Sequence, residues 1–237
     1  MLLWLLSQTA YDYDDEKDIA KGIAAAGAKA SDLFLTTKIP CASYSKAAAD
    51  IKSNLADLGV GEVDLTLIHF PRCSGGQSVA ETWRALEDAK AAGLTKAIGV
   101  SHFGASDFEA LAKTQKEPPV LNQCQLSVGK HDDATIAYCR QHGIVYQSYS
   151  PLCGGANGSS CSMGGGSSVL QIAQVVDIAQ AHKVSPAQVG LKWVAQQGFP
   201  IACASWEQDF MVEDLDLWSW GNLTAAEMAT LAAVTHP

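Results

Sequence analysis

Positive charge is scarce in this chain. Sixteen Lys and Arg stand against 25 Asp and Glu, a formal net charge of −9. Such a surface repels polyanions, so neither nucleic acid nor an anionic membrane is expected as the main partner. Long apolar runs are lacking too, and none reaches the roughly 18 residues that span a bilayer. The opening MLLWLLSQTA has no basic segment, and its apolar stretch falls short of the ~7 residues of a leader core. It reads as a buried strand, and the chain as cytoplasmic. The seven cysteines are odd in number and scattered, with no C-x-x-C. Cys153 and Cys161 flank a Gly/Ser loop, but no histidine nearby completes a zinc spacing. Reduced thiols and no metal site are expected. Also missing is a G-x-G-x-x-G after the first strand, which excludes the usual dinucleotide fingerprint. The late CSMGGGSSV is glycine-rich but carries no Walker lysine.

What is present is alternation. Short apolar runs predict strands at 2–6, 33–37, 64–68, 97–100, 120–123, 145–149 and 200–203. Between them, apolar residues at three-to-four spacing predict helices at 16–26, 46–58, 79–92, 105–113, 134–142, 169–182 and 186–197. Ser45, Ser106-Asp107 and Ser185-Pro186 supply start signals, and Gly59, Gly93 and Gly143 supply stops. Strand followed by helix, repeated without a break, predicts parallel strands with crossover helices. At 237 residues and 48% apolar content, this favours one (β/α)-barrel domain over residues 1–237.

A barrel carries its chemistry at the C-terminal ends of its strands. VDLTLIHFP places His69 at such an end. LTTKIP does the same for Lys38, and SQTAYDYDDE offers Gln8 and Tyr13. A phenol can donate a proton to a developing alkoxide. Its ordinary pKa of about 10 is high for that task, and a nearby ammonium favours the phenolate. A neutral imidazole can hold a carbonyl oxygen in place. An exposed Tyr149 offers a ring face for a nicotinamide. Taken singly, each residue has a plainer explanation: a surface tyrosine, a solvated lysine, a core histidine. Metal-dependent hydrolysis would want more strand-end histidines and carboxylates than His69 and His102 provide.

In order along the chain, TAYDYDDEKDIAKGI, LFLTTKIP, DLTLIHFP, AIGVSHF, LNQCQLS, YQSYSPL and SPAQVGLKWVAQQGFPIA resemble segments of the aldo-keto reductase superfamily. The resemblance implies a TIM barrel that reduces a small aldehyde or ketone with NADP(H) or NAD(H). It places Tyr13 as general acid, Lys38 as the lysine that tunes it and His69 as the orienting histidine. It assigns the nicotinamide carboxamide to Ser101 and Gln123 and the stacking face to Tyr149, and it places His102 in the cofactor site where the family more usually has asparagine. Ser150 and Leu152 fall in the loop over the pyrophosphate, and Ser205 in the segment that meets the 2′-phosphate.

Three departures carry expectations of their own. Gln8 stands where the family has the aspartate that pairs with the lysine, so Lys38 should lose its counter-ion and part of its proton affinity. The chain opens at what corresponds to the second strand. This predicts a (β/α)8 barrel lacking its first strand and helix, with two unpaired edges that invite self-association. The family's basic grip on the 2′-phosphate is replaced by IACASWEQDFMVED, where Ala204 and Phe210 stand in the basic positions. A catalytically weak or inactive binding relative is the alternative. Trp206, Trp218, Trp220 and Phe103 are candidates for an apolar lining.

Overall fold

A computed structural model of the chain describes residues 6–153, 168–205 and 207–235. Most of the expected strand at 2–6, the Gly/Ser segment and Trp206 lie outside them. The chain divides into two compact units, residues 1–122 with 137–145, and residues 123–136 with 146–237. Seven strands are hydrogen-bonded in chain order.

The first unit opens with β1 (Leu6–Gln8), β2 (Phe34–Ile39), β3 (Val63–Ile68) and β4 (Thr95–Ser101), paired in parallel. The helices α1 (Glu16–Ala25), α2 (Tyr44–Leu58), α3 (Val79–Ala91) and α4 (Ala105–Leu111) make the crossovers or follow the strands. Strands buried on both faces read as continuous apolar runs. In β3 only Asp64 is not fully buried, and it has a task. Its carboxylate accepts from the Leu35 backbone N–H at 2.8 Å and from Lys96 Nζ at 2.8 Å, bracing the start of the strand from both sides.

Helix ends follow local chemistry. Ser43, not the expected Ser45, caps α2, because its extended backbone lets its hydroxyl accept from Lys46 N at 3.4 Å. Gly59, at φ 69°, closes the same helix in the left-handed region that glycine tolerates. Ala47, Ile51, Leu55 and Leu58 form its buried stripe.

In the second unit, β6 (Val145–Tyr149) pairs in parallel with β7 (Ile201–Ala202). The expected helix at 169–182 is a 3-10 turn at Val169–Gln171 followed by α6 (Ala173–His182), since Ile172 takes an extended backbone between them. α7 (Pro186–Gln196) starts with a reciprocal box. Gln188 N donates to Ser185 Oγ, and Ser185 N donates to Gln188 Oε1, both at 3.1 Å. Two helices were not expected, α8 (Gln208–Leu215) and α9 (Ala225–Ala232). The segment Leu121–Gln125 is β5 and Asp133–Gln141 is α5; the division between the units runs through both.

Gly99 in β4 is required by close approach. A Cβ there would lie 2.6 Å from the Leu121 carbonyl oxygen and 2.8 Å from Leu67 Cδ2. A backbone carbonyl cannot swing aside. Gly99→Ala is therefore expected to lower unfolding free energy by about 1–3 kcal/mol, read from the denaturant midpoint. An unchanged midpoint would show that β4 and β5 yield freely.

Candidate active site

Strand register brings the first unit's candidates together. Lys38 is paired with Leu67, and the His69 backbone N–H donates to the Ile39 carbonyl at 2.8 Å. Side chains alternate along a strand, so Lys38, Leu67 and His69 share a face, with His69 one step further out. Gln8 is paired with Thr36, which puts it on the Lys38 face as well. Tyr13 ends a 3-10 turn at Tyr11–Tyr13, closed by its own N–H on the Ala10 carbonyl at 2.8 Å.

The three groups meet. Lys38 Nζ lies 4.9 Å from the centre of the Tyr13 ring, and the Tyr13 and His69 rings stand edge-on at 5.5 Å. Lys38 is only 1% exposed. Its ammonium donates to the Thr9 carbonyl at 3.3 Å and forms no ion pair among the described residues. Burial pulls its pKa down to about 8, against a partial restoring pull from Asp15 and Asp12. The loss of proton affinity expected from Gln8 is thus present at Lys38.

The effect expected on Tyr13 is reversed. Burial, then Asp15, then Asp12 raise its pKa above the ordinary phenol value. The ammonium sits over the ring face, while burial and, after it, the carboxylates of Asp15 and Asp12 act against the phenolate. Both imidazoles are shifted toward their neutral forms. Burial lowers His69, with the Lys38 charge acting in the same sense, while Asp12 opposes. His102 is pushed down to about 4 by burial, then by His69, Lys38 and Arg72.

His69, Phe70 and His102 form a continuous ring stack, at 4.4 Å and 25° for the first pair and 4.3 Å and 21° for the second. His102 has φ 62°, the left-handed region where Asn and His are enriched among non-glycine residues. The turn is held by Asn122, whose amide donates to the Phe103 carbonyl at 2.8 Å and accepts from the Phe103 N–H at 3.3 Å. Ser101 is buried at the end of β4. A hydroxyl and a neutral imidazole on adjacent residues suit an amide such as a nicotinamide carboxamide.

Within the second unit, Gln123 donates to Gln147 Oε1 at 2.7 Å. Tyr149 ends β6, and Ser150 follows at φ 47° with Leu152 beyond it. Ser205 is not fully buried, and its hydroxyl reaches the Glu207 carbonyl at 3.4 Å. No Lys or Arg occurs between residues 201 and 215, so the donor set there does not fit a 2′-phosphate clamp. The Trp218 and Trp220 rings lie 4.3 and 4.8 Å from Lys192 Nζ, which donates to the Leu217 carbonyl at 2.6 Å. Phe103 of the first unit is core, packed 5.7 Å from Phe108.

Sequence reasoning passed over three features. Asp12 Oδ2 lies 2.9 Å from His69 Nδ1, and nothing in the run DYDD marks which aspartate does this. Asn122 acts on the β4 turn. Cys41 and Cys73, expected as reduced thiols, are joined in a disulfide with Cα atoms 5.0 Å apart. That bond links the segment after β2, which carries Lys38, to the segment after β3, which carries His69. Cysteine usage therefore no longer argues for a reducing compartment. A cavity of about 250 Å³ is lined by Tyr11, Asp14, Glu16, Ser53, Asn54 and Asp57, and by none of the three convergent groups. Geometry and chemistry, not cavity size, identify the site. Among the described residues no His, Cys, Asp and Glu cluster could hold a metal ion, and no helix is long and apolar enough to cross a membrane.

The sequence profile described as "Aldo/keto reductase family" matches residues 8–235. A methylglyoxal reductase of Escherichia coli O157:H7 is 33% identical, over 95% of this chain and 81% of its own. A solved aldo/keto reductase from Brucella melitensis superposes with TM-score 0.85 at 29% identity, covering 97% of this chain and 84% of the other. An aldo-keto reductase of Bombyx mori, solved in complex with NADP, gives TM-score 0.84 at 26% identity, covering 97% and 78%. The fold is thus the α/β TIM-barrel type, and the chain belongs to the aldo/keto reductase family, an oxidoreductase family that generally reduces carbonyls with NAD(P)H.

Proposed function

We propose that this chain, working as one domain, reduces an aldehyde or ketone to an alcohol, with Tyr13 as the general acid. The observation that carries the reading is the meeting of phenol, ammonium and imidazole at adjacent strand ends of the first unit. A bound nicotinamide supplies the hydride that the carbonyl carbon receives. The oxygen takes its proton from the Tyr13 hydroxyl, and Lys38 in its charged form stabilises the phenolate left behind. His69 and His102 border the reacting oxygen, as imidazoles that burial holds toward their neutral forms before a carbonyl binds. Ser101 and His102 are assigned to the cofactor from the first unit; Gln123, Tyr149, Ser150, Leu152 and Ser205 are assigned from the second.

The raised Tyr13 and weakened Lys38 favour a second reading, a slow enzyme or a binding protein. A cytoplasmic location belongs to the proposal as well; the Cys41–Cys73 disulfide is the observation set against it.

Tyr13→Phe should lower turnover of an aromatic aldehyde by about 10²-fold or more, the usual contribution of a positioned acid. A folded wild-type chain without turnover would instead favour the binding protein. The Lys38 ammonium exists below its pKa and is lost above it, so reduction should decline as pH rises through about 8. Gln8→Asp should move that limb upward by about one to three units, as a neighbouring opposite charge does; a fixed limb and unimproved turnover would refute the role given to position 8. With no Lys or Arg in residues 201–215, NADH should bind at least as tightly as NADPH in a fluorescence titration. A marked preference for NADPH would overturn that inference.

A further inference from the structure

The shortest route into the electrostatics of this site runs through Asp12. Its carboxylate Oδ2 lies 2.9 Å from His69 Nδ1, on the half-exposed turn that also carries Tyr13. An ionised carboxylate only accepts, so the proton between them resides on Nδ1. A neutral imidazole has one N–H, and the hydrogen bond made by one nitrogen decides the state of the other. With Nδ1 protonated, the neutral ring offers Nε2 as an acceptor. A carbonyl oxygen is also an acceptor, so the two repel.

We propose that Asp12 is a positioning residue which holds neutral His69 in the Nδ1–H form, so that binding a carbonyl requires uptake of one proton at His69. This deepens the reductase reading and rests on it. The added proton comes from solvent and occupies Nε2. His69 then donates twice, from Nδ1 to Asp12 and from Nε2 to the carbonyl oxygen. The proton transferred in reduction is separate and leaves Tyr13. Once the alcohol has formed, His69 returns its extra proton to solvent, and Nε2 can accept from the new hydroxyl.

The groups that face His69 act in known directions. From the turn come Asp12, which favours the imidazolium, and the edge of Tyr13; from β2 comes Lys38, which disfavours it. From the end of β4 comes His102, itself beside Arg72 and held neutral above pH of about 4. Burial also disfavours the imidazolium, so His69 titrates below the ordinary histidine value. Carbonyl affinity should therefore be greatest on the acid side of that titration and weaken above it.

Tautomers of histidine are read directly by NMR of the full chain carrying ¹⁵N-labelled histidine, with His69→Gln used to assign the signal. No cofactor or substrate is needed, so a chain that fails as a reductase still tests the proposal. Wild type should show Nδ1–H at neutral pH. Asp12→Asn places an amide donor against Nδ1 and should invert the ring to Nε2–H. Asp12→Ala should lower the His69 pKa by about one unit, as expected for loss of one charge-assisted hydrogen bond, and Asp12→Glu should restore it. If the chain turns over, the KM for the carbonyl should rise with pH across the His69 titration, below the Lys38 limb near 8, while kcat stays level there, and Asp12→Asn should flatten that rise. An Nε2–H ring in wild type, or a His69 titration unmoved by Asp12→Ala, would overturn the proposal. A merely structural Asp12 would alter stability without moving either signal.

Discussion

A cation buried without a carboxylate partner governs this site. Lys38 is 1% exposed; its ammonium donates to the Thr9 carbonyl and lies against the Tyr13 ring, and it forms no ion pair among the described residues. An ammonium removed from water gives up hydration that one carbonyl and one π face replace only in part. The result is visible in its neighbours. Burial is the main cause that lowers both His69 and His102, and the Lys38 charge adds to it, which helps to keep two imidazoles neutral at the strand ends. Neutral rings can stack, and His69, Phe70 and His102 do so. One uncompensated charge thus favours a wall of flat, uncharged surface beside the phenol.

The compensation that Gln8 cannot give comes from elsewhere, and its position matters. Asp12 and Asp15 lie on the turn around Tyr13, not on the Lys38 face of β1. From there they restore part of the lysine's proton affinity but also raise the tyrosine. A carboxylate at position 8 would act on the ammonium from within the sheet, where the register places it on the same face. Moving negative charge from strand to turn therefore weakens the acid that the lysine is meant to strengthen. The same shift brings a carboxylate against His69 Nδ1. The sequence departure at one residue and the unexpected contact at another have a shared origin in where the acidic side chains of QTAYDYDDE fall.

Much of this was legible before any coordinates. Parallel strands buried on both faces announce themselves as short apolar runs, and the residue that ends each run lies on the functional rim. That logic located Tyr13, Lys38 and His69, and the resemblance added the role of each. Elements without a buried stripe were harder. α8 buries none of its residues and has no side-chain cap, so its acidic sequence reads as loop. α9 did carry a signal, since Thr224 and Glu227 bond reciprocally as the spacing T-x-x-E allows. The Cys41–Cys73 bond was not legible because the pairing depends on β2 and β3 lying side by side, and neither cysteine's spacing records that. Asp12 was hidden for a similar reason. In a run of aspartates, only the geometry of a 3-10 turn decides which one faces the imidazole.

The ring stack also bears on the departure at position 102. A residue at φ 62° after β4 must tolerate the left-handed region, and asparagine and histidine both do so more readily than most side chains. The backbone therefore permits the exchange at little cost, while the side chains differ in what they offer. An asparagine brings an amide with fixed donor and acceptor ends. His102 brings a ring that packs on Phe70 and, held near a pKa of about 4, stays uncharged over the range in which Lys38 titrates. Its hydrogen-bonding ends can exchange by tautomerism. Asn122 holds the backbone of that turn through both ends of its amide. Position 102 thus combines a held backbone with a ring whose donor and acceptor ends can interchange, where an asparagine amide would have them fixed.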